Sequence, residues 1–476
     1  MKISKSVYNN YLVAYIKVYQ NAVLYLLATL FSGVYISCDS FVEVELPNSQ
    51  LTSTSVYEEK ATANAAMTHV YAKMRDDGIF TGLSNGVSNL LGNYSDELTY
   101  YGSFSEGPGN FYNNIVMPSN ANIKSLWNKS YEQIYGANSV LEGCSASTAL
   151  SVETRNQLKG EALFVRALLH FYLANLFGNI PYVKSTNYQV NAKIAKETPD
   201  AIYKYCIEDL NKAVELLPSS YLTSDRIRPN KFAAKSILSR VYLYNSQWNE
   251  AANEASAVIN NTSLFQLENE LSKVFLKASP ETIWQFAPNT GSGNTLEAQN
   301  FIFTSGPPTG SAVSNSLLSA FTAEDQRKVK WINTVQTGNS TWYSVAKYKN
   351  KGTGTSTEYS IIIRLSEIFL IRAEARVQAG DIIGSKEDLN LIRKRAGLQN
   401  TVSTSQNEIL QEILQERKLE FFSELGQRFF DLKRCNKLDE VLASLKPEWN
   451  SYKTVLPLPE SELLLNENLN PQNNGY

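Results

Sequence analysis

The sequence predicts a mostly α protein: a tetratricopeptide-like scaffold of helical hairpins that carries an irregular, loop-rich lobe. Three observations predict it. An apolar stripe of Leu158, Ala162, Val165, Leu169, Tyr172 and Leu176 advances in steps of three and four with no breaker inside it. Two segments, 231–259 and 361–395, each read as a pair of helices joined by a tight turn, with small alanines where the helices would cross. Two other stretches, 79–120 and 266–355, lose this period and fill with Gly, Ser, Thr, Asn and scattered aromatics.

Taken in order, Thr54 to Asp77 reads as a helix, with Ser55 and Glu58 in capping-box spacing and Gly78 as its stop. Ile123 to Cys144 is the next. Leu158 to Phe177 follows; Phe164, Leu168 and Phe171 add a second apolar side, so this helix is buried on two faces, and Gly178 and Pro181 end it. Pro199 to Leu217 is closed by Pro218. Lys231 to Tyr244 and Asn249 to Ile259 form a hairpin, with Ala233, Ala234, Tyr242, Trp248, Ala252 and Ala255 giving a small–large–small alternation. Ile361 to Ala379 and Gly384 to Arg395 form a second, near the ~34-residue length of one repeat unit. Asn407 to Phe422 and Phe429 to Arg434 complete the helices. Thr282-Ile283-Trp284-Gln285-Phe286 reads as a strand, and residues 266–355 are too long for a plain loop. The scaffold is thus expected over about 50–78, 121–265 and 356–435, and the lobe over about 79–120 and 266–355.

The N-terminus carries a different signal. Lys2, Lys5 and Lys17 precede an uncharged run from Ala22 to Ser37, which is shorter than the ~20 apolar residues of a spanning helix. The run closes on Tyr35-Ile36-Ser37-Cys38, which resembles a bacterial lipobox. Residues 1–37 therefore read as a secretion signal, and Cys38 as a lipidation site that tethers the chain to a membrane by acyl chains. No other stretch has the length and apolarity to span a bilayer.

Composition excludes several function classes. A net charge of −2 leaves no electrostatic footprint for nucleic acid. Besides Cys38 there are three widely spaced cysteines, Cys144, Cys206 and Cys435, which imply no disulfide framework. Two histidines, His69 and His170, argue against a histidine-built metal site or a Ser-His-Asp triad. Gly291-Ser292-Gly293-Asn294 and Gly352-Thr353-Gly354-Thr355 lack the Lys-Ser/Thr of a phosphate loop and read as turns. No cofactor is implied.

Five segments, in register along the chain, carry a family resemblance. Gly160-Glu161-Ala162-Leu163-Phe164-Val165-Arg166-Ala167, running to Phe177-Gly178-Asn179-Ile180-Pro181, resembles the hallmark helix of the SusD/RagB family of outer-membrane nutrient-binding lipoproteins. Arg364-Leu365-Ser366-Glu367 through Arg372-Ala373-Glu374-Ala375, continuing into Leu389 to Leu398, resembles the second hallmark. Glu416-Arg417, Glu420, Glu424, Gly426, Arg428 and Asp431 to Arg434 resemble the third. The start at Cys38-Asp39-Ser40-Phe41 and the tail Leu456-Pro457-Leu458-Pro459 with Asn474-Gly475-Tyr476 fit as well. The resemblance implies a non-catalytic receptor on the outer face of the outer membrane. It would capture a nutrient oligomer and pass it to a SusC-like TonB-dependent transporter, with the helical scaffold facing that barrel. Arg364, Glu367, Arg372, Glu374, Arg417, Glu420, Glu424 and Arg428 lie among apolar neighbours and read as ion pairs of the scaffold.

The ligand-binding candidate is the segment from Tyr94 to Tyr112. It holds Tyr94, Tyr100, Tyr101, Phe104, Phe111 and Tyr112, where the chain average of 11% aromatic would give about two. Amides and carboxylates are interleaved. Rings beside hydrogen-bonding groups suit a carbohydrate, whose faces are apolar and whose rim is hydroxyl. The residues assigned to the ligand are Asn93, Asp96, Glu97, Tyr100, Tyr101, Phe111 and Tyr112. Two alternatives stay open: the same role with peptide cargo, and a surface-anchored glycan hydrolase, for which Asp96 and Glu97 are the best carboxylate pair.

Overall fold

The computed structural model describes residues 12–23, 55–104, 107–290 and 293–476. Residues 1–52 and 53–476 form separate compact units. In the first unit residues 12–23 are an exposed helix; Cys38 and the rest of the expected lipobox lie outside the described residues. No helix among the described residues is long and apolar enough to cross a membrane.

The second unit is built on helices, most of which follow one another in space as they do in sequence. These are α1 (Lys60–Asp76), α2 (Val87–Tyr94), α3 (Pro108–Tyr112), α4 (Ala121–Ala146), α5 (Val152–Phe177), α6 (Pro199–Leu216), α7 (Lys231–Tyr244), α8 (Trp248–Ile259), α9 (Leu365–Gln378), α10 (Ile382–Arg395), α11 (Gln406–Phe421) and α12 (Gln427–Arg434). Helix α1 lies on α4, α4 on α5, α5 on α6, and the succession continues through α7, α8, α9 and α10, with α11 closing on the last two. Each helix thus buries its apolar face on its neighbours. The centre is α5, in which every residue from Gly160 to Phe177 is buried, as the two-sided apolar pattern implies. Gly160 lets α6 come close: a Cβ there would lie 2.8 Å from Leu217 Cγ. Ala233, Ala234, Ala251 and Ala255 are fully buried at the α7–α8 crossing.

Two of the differences from the sequence reading change the local structure. Ser55 does not cap α1. Residues Ser55–Tyr57 form a separate 3₁₀ turn that plants Tyr57 against α4, with its hydroxyl 3.3 Å from Ser139 Oγ, and α1 begins one turn later behind Glu59. A capping box does form at Ser405 and Glu408, at the start of α11. The second difference is at 361–364, expected to be helical. Ser360–Arg364 is a fully buried strand, β6, antiparallel to β2 (Thr282–Phe286). The run Ile361-Ile362-Ile363 is β-branched, and it packs on both faces.

The other strands belong to the irregular part. β1 (Leu98–Tyr100) pairs antiparallel with β3 (Ser311–Val313), and β4 (Ile332–Thr337) with β5 (Ser340–Val345). A hydrophobic core distinct from that of the helix stack gathers Leu98, Phe275, Phe301, Val313, Phe321, Trp331, Val345 and Tyr348, with Leu419 and Phe422 of the scaffold.

The charged residues of the hallmark segments pair inside the protein. Arg364 donates to Glu281 at 3.0 Å, Glu420 at 2.5 Å and Glu424 at 2.8 Å. Arg395 joins Glu281 at 2.6 Å and also pairs with Glu420. Arg327 adds Asp325 and Glu416, and Lys347 adds Glu424. Burial alone would raise the Glu420 carboxyl, but Arg395, Arg364 and Arg327 outweigh it and hold the group well below the usual carboxylate range. Glu367 pairs with Arg240 across the stack, Arg372 with Asp388, Arg417 with Asp431, and Glu374 with Arg434.

Candidate functional site

The segment from Asn93 to Asn114 divides into an inward and an outward set. Asn93, Asp96, Glu97 and Phe111 are inward, a correction to their assignment as ligand contacts. Asn93 is fully buried and donates to Ser311 Oγ at 2.7 Å and to the Asn89 carbonyl at 2.8 Å. Asp96 accepts from Arg428 Nε and Lys418 Nζ, each at 2.8 Å. Burial works to raise its carboxyl, but these two cations hold it well below its ordinary value. Glu97 is buried beside it, and among the described residues its carboxylate accepts the Ser423 N–H alone, at 3.3 Å. Burial first, and the Asp96 charge second, push its carboxyl up to about 8. Phe111 is fully buried edge-on to Tyr94. These groups fix the segment to the scaffold. Their placement also removes Asp96 and Glu97 as a pair of carboxylates across a cleft.

The outward set is presented by that anchorage. Tyr94 donates to the Lys453 carbonyl at 3.0 Å and packs on Phe111, Phe429 and Trp449. Lys446 staples both ends from below: its Nζ donates to the carbonyls of Asn93, at 2.8 Å, and Tyr112, at 3.0 Å, and lies 3.9 Å from the Tyr112 ring centre. Above this base β1 carries Tyr100 to the surface, and the Tyr101 N–H extends the β1–β3 ladder to the Gly310 carbonyl at 2.9 Å. Tyr101 is 43% exposed and Phe104 48%. Phe104 meets Tyr100 edge-on at 6.0 Å and lies tilted against Tyr112 at 6.0 Å. Tyr100, Phe104 and Tyr112 thus form a row of ring contacts, with Tyr101 exposed beside it. Gly102 gives the row its shape: a Cβ there would lie 2.6 Å from Tyr100 Cζ and 2.9 Å from the Thr309 carbonyl oxygen.

A cleft of about 650 Å³ adjoins the Tyr100 end, lined by Tyr100, Ser103, Asn110, Ser119, Asn120 and Asn122 among others. Asn120 caps α4, accepting from the N–H groups of Asn122 and Ile123, and donates to Asn110 Oδ1 at 3.2 Å. The sequence reading began α4 at Ile123 and so passed over Asn120 and Asn122. The signal was present: asparagine two residues after a proline, at the start of a periodic run, is an N-cap pattern. Phe104, one of the six aromatics of the segment but outside the expected ligand set, belongs to the row.

Other candidates resolve as structural. His170 is buried and accepts the Val183 N–H on Nε2 at 3.0 Å, which leaves the proton on Nδ1 facing the Arg166 carbonyl. Burial pushes its pKa down to about 3, so it is neutral. Cys144, Cys206 and Cys435 are free thiols. Among the described residues there is no group of His, Cys, Asp and Glu placed to hold a metal ion.

Comparison with known proteins agrees with this architecture. Residues 41–243 match a SusD-like family described as starch-binding and associating with the outer membrane, and residues 313–476 match the SusD family. The SusD-like protein P2 of Formosa agariphila is 29% identical over 91% of this chain and 96% of its own. A SusD-like protein of Bacteroides ovatus is 23% identical over 70% of this chain and 69% of its own. Among solved structures, a SusD superfamily protein of Bacteroides vulgatus superposes with a TM-score of 0.75 at 20% identity, covering 88% of this chain and all of that one. A laminarin-binding SusD-like protein superposes with a TM-score of 0.73 at 25% identity, covering 87% and 99%. With two SusD family models matched over residues 41–243 and 313–476 and the same fold in its structural neighbours, the chain belongs to the SusD/RagB family.

Proposed function

We propose that this protein is a surface nutrient-binding lipoprotein that captures an oligosaccharide and delivers it to a SusC-like TonB-dependent transporter in the outer membrane. The observation that carries the reading is the outward ring row of Tyr100, Phe104 and Tyr112, with Tyr101 beside it, next to an amide-lined cleft. Sugar faces are apolar and stack on rings, while their hydroxyls pair with amides. Family membership supports the cargo class, and the laminarin-binding relative supplies a precedent on the same fold. Capture needs affinity alone, so no group in the site is assigned bond chemistry. In this reading Cys38 bears the lipid anchor, the binding face looks outward, and the helical scaffold faces the barrel.

The test is calorimetry of the protein and of its Tyr100→Ala/Tyr101→Ala variant against oligosaccharides. Losing two stacking rings at ~1 kcal/mol each is expected to weaken binding at least about tenfold. The unfolding midpoint should stay within a few degrees, because both rings are at the surface. Unchanged affinity removes the row from the ligand site.

A further inference from the structure

The chemistry of the cleft narrows the cargo. We propose that the site selects uncharged glycans over uronate- or sulfate-bearing ones; this deepens the oligosaccharide-binding reading and rests on it. None of the described residues lining the cleft carries a charge: the lining is a tyrosine ring, serine hydroxyls, three asparagine amides, Gly107, Pro108 and Ala121. An ionised group entering such a cleft gives up water and needs a cation or several aligned donors in return.

Neither usual source of positive charge lines the cleft. Lys446 is buried beneath Tyr112, with its ammonium committed to two backbone carbonyls, and the exposed Lys124 in the first turn of α4 lies outside the lining. The N-terminus of α4 opens on the cleft, and a helix start commonly traps anions. Here Asn120 Oδ1 already accepts the N–H groups of Asn122 and Ile123, so the cap occupies the place an anion would take.

The open hydrogen-bonding capacity is instead that of neutral amides. Asn110 Oδ1 accepts from Asn120, and among the described residues neither Asn110 Nδ2 nor the Asn122 side chain has a partner. Each amide offers donors and an acceptor, the complement of a hydroxyl that is also both. With the Tyr100 ring as a stacking face, the cleft suits a neutral hexose polymer.

The experiment is calorimetry of the full chain against two neutral polymers, a β-glucan and a mannan, and two acidic ones, an alginate and a sulfated galactan, with Asn122→Ala and Asn122→Lys variants. The expected result is binding of a neutral polymer, weakened at least threefold by Asn122→Ala, and no binding of either acid by the native chain. Asn122→Lys, which places a cation in the cleft, should create measurable binding of an acidic polymer. Among the described residues the Asn122 side chain has no partner to lose, so both variants should fold. Binding of an acidic polymer by the native chain, weakened by Asn122→Ala, overturns the selectivity and leaves glycan capture standing. Neutral binding that neither variant alters overturns the cleft as the site. Failure to bind any of the four overturns the glycan reading itself.

Discussion

The junction between scaffold and lobe and the cleft at the start of α4 treat polar groups in opposite ways. At the junction, Arg327, Lys347, Arg364 and Arg395 meet Glu281, Asp325, Glu416, Glu420 and Glu424 in a buried cluster where each charge has a partner. In the cleft the described groups are uncharged, and among the described residues donors on Asn110 and Asn122 have no partner. Saturated charges define one geometry and offer nothing to a ligand; open amides beside a ring offer contacts without a fixed charge to be desolvated. One region specifies the fold and the other is available for recognition, although both are polar.

The largest expected effect breaks the first region. Arg364→Met removes the cation shared by the buried Glu281 and Glu420 and the partly buried Glu424, leaving all three short of a counter-charge. Breaking a buried pair in this way costs about 3–5 kcal/mol, and a shared arginine belongs at the upper end. The prediction is a large drop in the urea midpoint, partly restored by Arg364→Lys. A variant as stable as the parent would show that the cluster is not needed to join lobe and scaffold.

A smaller effect separates the neighbouring carboxyls beneath the ring row. Glu97 has an ordinary value of 4.5 and is pushed up to about 8, so between those pH values the folded protein holds a proton that the unfolded chain has lost. Its favourable contribution is complete below about pH 4.5 and disappears as pH rises toward 8. Asp96, held below its ordinary 3.8 by Arg428 and Lys418 against the effect of burial, does the reverse: its contribution is present at neutral pH and lost on acidification. Glu97→Gln is neutral at every pH and should flatten the decline in stability between pH 5 and 8, by on the order of 1–3 kcal/mol. Urea melts at pH 5 and pH 8 measure it; an unaltered slope would mean that Glu97 is ionised in the fold.

The same neighbours show where sequence reasoning succeeds and where it stops. The helix stack is legible because apolar period and breakers are local: Lys231–Tyr244 is read to the residue, and α5 by its stripe. The strand at Ser360–Arg364 is not, because a short run of three isoleucines suits a buried strand and a buried helix equally. In the candidate site, six aromatics in one segment mark the region proposed to bind, and of these Tyr100, Tyr101 and Tyr112 are at least partly exposed. Asp96 and Glu97 look like ligand groups in sequence, yet they are claimed by Lys418, Arg428 and Ser423, more than 300 positions away. Which of several interleaved polar residues turns inward is decided by partners that no local pattern contains.

The finest test alters the recognition region without removing a ring. At Gly102 an added methyl would press on the far end of the Tyr100 side chain, which can swing away, and on the Thr309 carbonyl at 2.9 Å, which has only tenths of an ångström to give. The backbone of Gly102 is not left-handed, so alanine brings no conformational strain. Gly102→Ala should therefore cost about 1 kcal/mol of stability or less while tilting Tyr100 out of its contact with Phe104. If the ring's orientation matters to the ligand, affinity falls a few-fold, less than on removing the ring by Tyr100→Ala. Measured together by calorimetry, the two variants distinguish stacking from bulk. Equal losses mean that ring orientation is the whole of Tyr100's contribution. No loss in Gly102→Ala, with a clear loss in Tyr100→Ala, means that the ring contributes apolar area alone.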